Sequence, residues 1–187
     1  PRNHVQSIAP INSTTYVVAS DIGIELCSLK AGKITILDQI SLPLKNQDIV
    51  SSLYYQNDTL WIGTKLKGLF QYQLSSKQWQ HIHEGNSNLL SNNIRKISKG
   101  PNNTVLLGTL KGLSVSDGNA SFINYKHNTS VPHSLSQNSI YDIFVDDQHI
   151  IWLGTYFGGI NAIYPDMIPL HIYSSRESPQ NRLNSDI

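Results

Sequence analysis

The sequence predicts an all-β fold assembled from four-stranded antiparallel units, and three observations predict it. Short alternating runs are separated by Gly, Asn, Asp and Pro turns. The segment Leu60-Trp61-Ile62-Gly63-Thr64 is echoed by Leu106-Leu107-Gly108-Thr109 and Ile151-Trp152-Leu153-Gly154-Thr155, and more faintly by Val17-Val18-Ala19-Ser20. No unit holds ten residues with apolar positions at helical spacing and no breaker, which sets aside the helical repeats of similar period.

Three markers share one period. The small residues at 19, 63, 108 and 154 are 44, 45 and 46 apart, and Gly23, Gly68, Gly112 and Gly159 follow at spacings of 45, 44 and 47. An apolar anchor lies upstream at Val5, Ile49, Ile94, Ile140 and Ile187, spaced 44, 45, 46 and 47. The expected units are 5–48, 49–93, 94–139 and 140–186, with Ile187 opening a fifth repeat. The chain starts Pro1-Arg2-Asn3, without Met or a leader pattern, and reads as the interior of a longer polypeptide.

The second unit shows how each is built. Ile49 to Tyr55 reads as a strand, Gln56-Asn57-Asp58 as a tight turn and Thr59 to Gly63 as the next strand. Leu69 to Leu74 alternates with period two, and Ser75-Ser76-Lys77 turns into Gln78 to His83. The third unit turns at Gly100-Pro101-Asn102-Asn103 and Asp117-Gly118, the fourth at Asp146-Asp147-Gln148 and Pro165-Asp166. Four short strands repeated at this period predict a β-propeller, of which about four blades are present. Blades stack on both faces, so inner strands are apolar on both sides; Trp61 and Trp152 are expected to fill the wedges between blades. Gly63, Gly108 and Gly154 permit close backbone approach or a positive φ at the strand end, while Gly68, Gly112 and Gly159 open the next strand. These positions, with Thr64, Thr109 and Thr155, are read as scaffold.

An anchor after an Asn-rich lead-in, then Trp-Ile-Gly-Thr or Trp-Leu-Gly-Thr, a short loop of two or three residues and Gly-Leu or Gly-Gly-Ile, resembles the two-component regulator propeller repeat. Residues 134–160 carry the fullest version; Leu106 replaces the usual Trp in the third unit, and Val17 with Ala19-Ser20 departs further in the first. The resemblance implies the periplasmic sensor region of a hybrid two-component system, perceiving oligosaccharide and controlling polysaccharide-utilisation genes. It places a membrane helix, histidine kinase, receiver and DNA-binding output beyond this segment. The partners expected are an oligosaccharide, and either the remaining blades of the parent chain or a second copy covering the open blade faces.

Composition bounds the other classes. Of 187 residues, 39% are hydrophobic and 14% charged, with 14 basic against 13 acidic side chains and net charge +1. No basic field draws nucleic acid or an anionic membrane, and no apolar run approaches the ~20 residues of a membrane span. Cys27 has no disulfide partner and reads as a small buried hydrophobe. Gly63 and Gly68 are spaced as in a phosphate loop but lack the following Lys-Ser/Thr. No nucleophile elbow, zinc-binding helix or paired-cysteine motif occurs, so no catalytic residue, metal or cofactor is assigned. Asp146 and Asp147 diverge as neighbours. His81 and His83 are expected on one strand face beside Glu84, where solvated side chains explain them better than a metal does. Asn12, Asn57, Asn102, Asn119 and Asn128 precede Ser or Thr at the glycosylation spacing, and read as turn residues.

Ligand recognition is expected on the loops joining second and third strands, which differ between units while their flanks repeat. They carry Asp21-Ile22, Lys65-Leu66-Lys67, Leu110-Lys111 and Tyr156-Phe157. Tyr156 and Phe157 offer faces for a sugar ring; Lys65, Lys67 and Lys111 offer donors. The competing readings are a protein-interaction scaffold and a propeller enzyme whose residues gather from several blades.

Overall fold

In the computed structural model, residues 4–43, 49–116 and 121–164 are described in full, and 167–173 as backbone. The chain forms two compact units, one of residues 1–82 with 92–94 and one of 83–91 with 95–187. The anchor Ile187 and the turn residues Asp117, Gly118, Pro165 and Asp166 lie outside the described residues.

The first unit holds two sheets. Strands β1 (Val5–Pro10), β2 (Thr15–Ser20), β3 (Gly23–Lys30) and β4 (Lys33–Ile40) pair in sequence order. So do β5 (Val50–Gln56), β6 (Thr59–Thr64), β7 (Leu69–Gln73) and β8 (Trp79–Ile82). Period-two alternation puts Ala9, Val17, Ala19 and Ile24 on one face of the first sheet, where they pack with Leu53, Leu60, Ile62, Phe70 and Tyr72 of the second. The Ser7 hydroxyl accepts the Leu53 amide at 2.9 Å across that joint.

The second unit repeats the scheme with β9 (Ile94–Lys99, all but its first residue), β10 (Val105–Thr109), β11 (Gly112–Ser116) and β12 (Phe122–Tyr125). Its other sheet comprises β13 (Ile140–Val145), β14 (Ile151–Thr155), β15 (Ile160–Tyr164) and β16 (Met167–Tyr173). Leu106, Leu113, Leu135, Ile140, Ile143, Ile151 and Leu153 form the core between them. Four antiparallel meanders of four strands are the blades of a β-propeller, as the repeat predicted.

One anchor sits a residue away from the position read from the sequence. Val50 is buried and pairs with Thr64, as Ile140 pairs with Thr155, whereas Ile49 is exposed. A bulge after this first strand residue absorbs one position, with register shifts at Val5/Ser7, Val50/Ser52 and Ile140/Asp142.

The turn residues behave as turn chemistry requires. Asn57 and Asn102 adopt φ of 49° and 51°, in the left-handed region that Asn tolerates. The side-chain oxygens of Asn12 and Asn128 accept the amides of Thr14 and Ser130 two residues on. Asn119 lies outside the described residues. Cys27 is buried, and burial together with the Glu25 charge pushes its thiol pKa up.

Candidate functional site

The loop between the second and third strands of each blade rests on a repeated frame. Buried Thr64, Thr109 and Thr155 donate their hydroxyls to the carbonyls of Gly68, Gly112 and Gly159 at 3.0, 2.8 and 2.9 Å. The same hydroxyls accept the loop amides of Lys67, Lys111 and Gly158 at 3.0, 3.1 and 3.0 Å. Ser20 does this for Ile22 at 3.4 Å, which accounts for the Ala-Ser variant of the first blade. A backbone bond then ties the loop to the residue before or opening the blade: Asp21 N to His4 O, Lys65 N to Ile49 O, and Tyr156 N to Ser139 O. The frame is fixed, so the loop side chains are free to differ.

In the second unit this frame presents an aromatic cluster. Tyr156 and Phe157 are 50% and 64% exposed and meet edge to face with centroids 4.2 Å apart. Tyr141, 62% exposed, occupies the bulge at the start of β13 and lies parallel to Tyr156 at 6.2 Å. Bulges re-aim a side chain, and here the bulge brings a strand residue beside the loop. The Arg95 guanidinium stands 5.4 Å from the Tyr141 centroid and 6.0 Å from that of Tyr156, and its Nη1 donates to Ser139 Oγ at 2.9 Å. The Gln137 side chain accepts the Phe157 amide at 3.2 Å.

Lys65 and Lys67 belong to the first unit. Lys111 lies in the second, where its ammonium pairs with Glu84 at 2.6 Å. Tyr156 and Phe157 were legible in the sequence; Arg95 and Tyr141 were not singled out. The signal that could have found them is the position immediately after the anchor, occupied by Gln6, Ser51, Arg95 and Tyr141, where an otherwise regular repeat changes chemistry. In the first blade the corresponding contact is Gln6 Nε2 donating to Asp21 Oδ1 at 2.8 Å.

The histidine pair differs from expectation because β8 ends at Ile82, so only His81 is on the strand. His81 stacks on Phe70 at 4.1 Å and donates from Nε2 to the Lys67 carbonyl at 2.7 Å. His83 accepts the Gly85 amide on Nδ1 at 3.0 Å. Among the described residues no group of His, Cys, Asp and Glu is arranged to hold a metal. Asp146 serves its hairpin: its carboxylate accepts the amides of Gln148 and Ile150 and the Trp152 indole N–H, each at 2.9 Å.

A cleft of about 630 Å³ opens within the second unit, lined by Leu113, Val115, Tyr125, Val131, Ile151 and Ile163. Its apolar floor continues the core between the two blades.

The fold and frame together define a β-propeller built of repeated four-stranded blades. Residues 134–157 match the family described as Two component regulator propeller. Among solved structures, the chain is similar to the extracellular domain of BT4673, described as a hybrid two component system of B. thetaiotaomicron. The TM-score is 0.68 at 29% identity over 86% of this chain and 21% of that one. The extracellular domain of BT3049, similarly described and from the same organism, has a TM-score of 0.68 at 15% identity, covering 93% of this chain and 25% of that one, and shows the fold. Virginiamycin B lyase from Staphylococcus aureus shares the fold at 13% identity and TM-score 0.67, over 96% of this chain and 58% of that one. The chain thus spans about a fifth to a quarter of the length of the two extracellular domains. No curated protein matches it. Among the described residues no helix is long and apolar enough to cross a membrane.

Proposed function

We propose that this chain is a ligand-perceiving propeller segment from the periplasmic region of a hybrid two-component signalling protein. Oligosaccharide bound at its loops alters blade packing, and the change passes to a histidine kinase that controls polysaccharide-utilisation genes. The segment itself is non-enzymatic. The likeness to the BT4673 extracellular domain supports the signalling context. The observation that carries the ligand reading is the exposed trio Tyr141, Tyr156 and Phe157 on a hydrogen-bonded frame. Exposed rings held by a rigid frame bind at low entropic cost, and their faces suit the C–H surface of a sugar.

A scaffold without small-molecule ligand is the second reading. It is favoured by Ile34, Ile36 and Leu37, which are more than half exposed on the edge strand β4.

A thermal-shift screen of the chain against oligosaccharides of several backbone types separates the two. Stabilisation by one glycan class, lost in Tyr156→Ala, supports perception. Absence of any shift across the panel rejects it in favour of the scaffold.

A further inference from the structure

We infer that the Arg95 platform selects an acidic glycan, with a sugar carboxylate engaging the guanidinium while the ring rests on Tyr156 and Phe157. This inference rests on the oligosaccharide reading and narrows it.

Charge pairing in the second unit is unequal. The described residues of the second unit hold two ion pairs, Lys96 with Asp142 at 2.8 Å and Lys111 with Glu84 at 2.6 Å. Arg95 has none. Asp142, next to Tyr141 in sequence, is already taken by Lys96 and leaves Arg95 without a carboxylate. A partly buried guanidinium with five donors in a planar fork has one side-chain bond, from Nη1 to Ser139.

The rings explain how that charge is held and where it points. The faces of Tyr141 and Tyr156 stabilise the cation without using up its donors. Guanidinium and carboxylate match in a bidentate geometry that a hydroxyl cannot reproduce, so the free edge of Arg95 discriminates a uronic acid from its neutral counterpart. Net charge of +1 gives no overall field for anions, so the preference is local to this residue.

Isothermal titration with matched pairs of oligosaccharides, uronic-acid and neutral, tests this in three or more linkage types, on the unaltered chain and on Arg95→Gln. The expected result is a uronic-acid oligosaccharide bound more tightly than its neutral match. Arg95→Gln should lose about tenfold to a hundredfold of that affinity, the range for a hydrogen bond to a charged group. Arg95→Lys should recover only part of it. If Arg95→Gln fails to fold, the preference is read from the unaltered chain as a salt series, since affinity carried by a partly exposed charge pair falls with ionic strength. Equal binding of acidic and neutral members, or an acidic preference unchanged by Arg95→Gln, overturns the inference and leaves the oligosaccharide reading standing. Binding of no member overturns both.

Discussion

Ile140 seats against Gly108. A methyl group added at Gly108 would stand 2.8 Å from Ile140 Cγ2 and 3.2 Å from Ile143 Cδ1, closer than packed carbons allow. The glycine at the end of β10 is therefore the socket for the first strand of the following blade. Gly154 occupies the same repeat position, yet a methyl group there would meet only the Asp142 backbone, at 3.9 Å.

That contrast predicts unequal costs for one substitution. Gly108→Ala should lower stability by about 1–3 kcal/mol through overpacking. Gly154→Ala should stay within about 0.5 kcal/mol, as an ordinary surface change does. Urea denaturation of the two variants measures both; equal losses would contradict the socket.

The buried threonines give a second test. Each hydroxyl bridges a loop amide and a glycine carbonyl, so Thr64→Val or Thr155→Val keeps the shape and takes the hydroxyl acceptor from the loop amide, while the glycine carbonyl keeps the backbone amide of the substituted residue. A loss of about 1–3 kcal/mol per site is expected in the same denaturation experiment. Hydrogen exchange at the Lys67 or Gly158 amide should accelerate correspondingly.

Asp146 supplies a pH dependence. Its carboxyl pKa is held below the ordinary value, chiefly by the Trp152 indole N–H, with the Ile150 and Gln148 amides and the His149 charge adding to it. A carboxylate with a depressed folded pKa contributes stability above its unfolded pKa, near 4, which is lost as pH falls through the folded value. Thermal melts should therefore fall more steeply below about pH 4 in the unaltered chain than in Asp146→Asn. Identical profiles would remove Asp146 from the hairpin's stability.

Exposed blade faces predict self-association of the isolated chain. Ile8, Leu29, Ile34 and Ile36 share one face of the first sheet and are 57%, 40%, 68% and 54% exposed. We propose that in the parent protein another blade covers this face. Sedimentation velocity should show association of the isolated chain, reduced by Ile34→Lys with Ile36→Lys. A well-folded monomer at all concentrations would contradict it.

The fold was legible because it is written four times. Blade stacking needs apolar residues on both sides of an inner strand, and the Gly-Thr ending must recur wherever the Thr hydroxyl closes a loop, so Leu60-Trp61-Ile62 and Ile151-Trp152-Leu153 announce strand and packing together. The one-residue slip at Ile49 arose because a bulge inserts a residue without changing the period; Val50 takes the buried place. Half the platform was legible, since Tyr156 and Phe157 interrupt a repeated frame. Arg95 and Tyr141 were not, because they come from two different blades and meet only through the bulge that re-aims Tyr141. His83 misled because nothing local marks the end of β8 at Ile82.

Perception of ligand on the loop face carrying Tyr156 is open to chemical-shift mapping. The 20.9 kDa chain is titrated with the glycan that most stabilises it, and amide shifts are followed residue by residue. The largest shifts should cluster at Arg95, Ser139, Tyr141, Tyr156 and Phe157. Shifts concentrated instead around Val115, Val131 and Ile163 would move the site to the apolar cleft and contradict it.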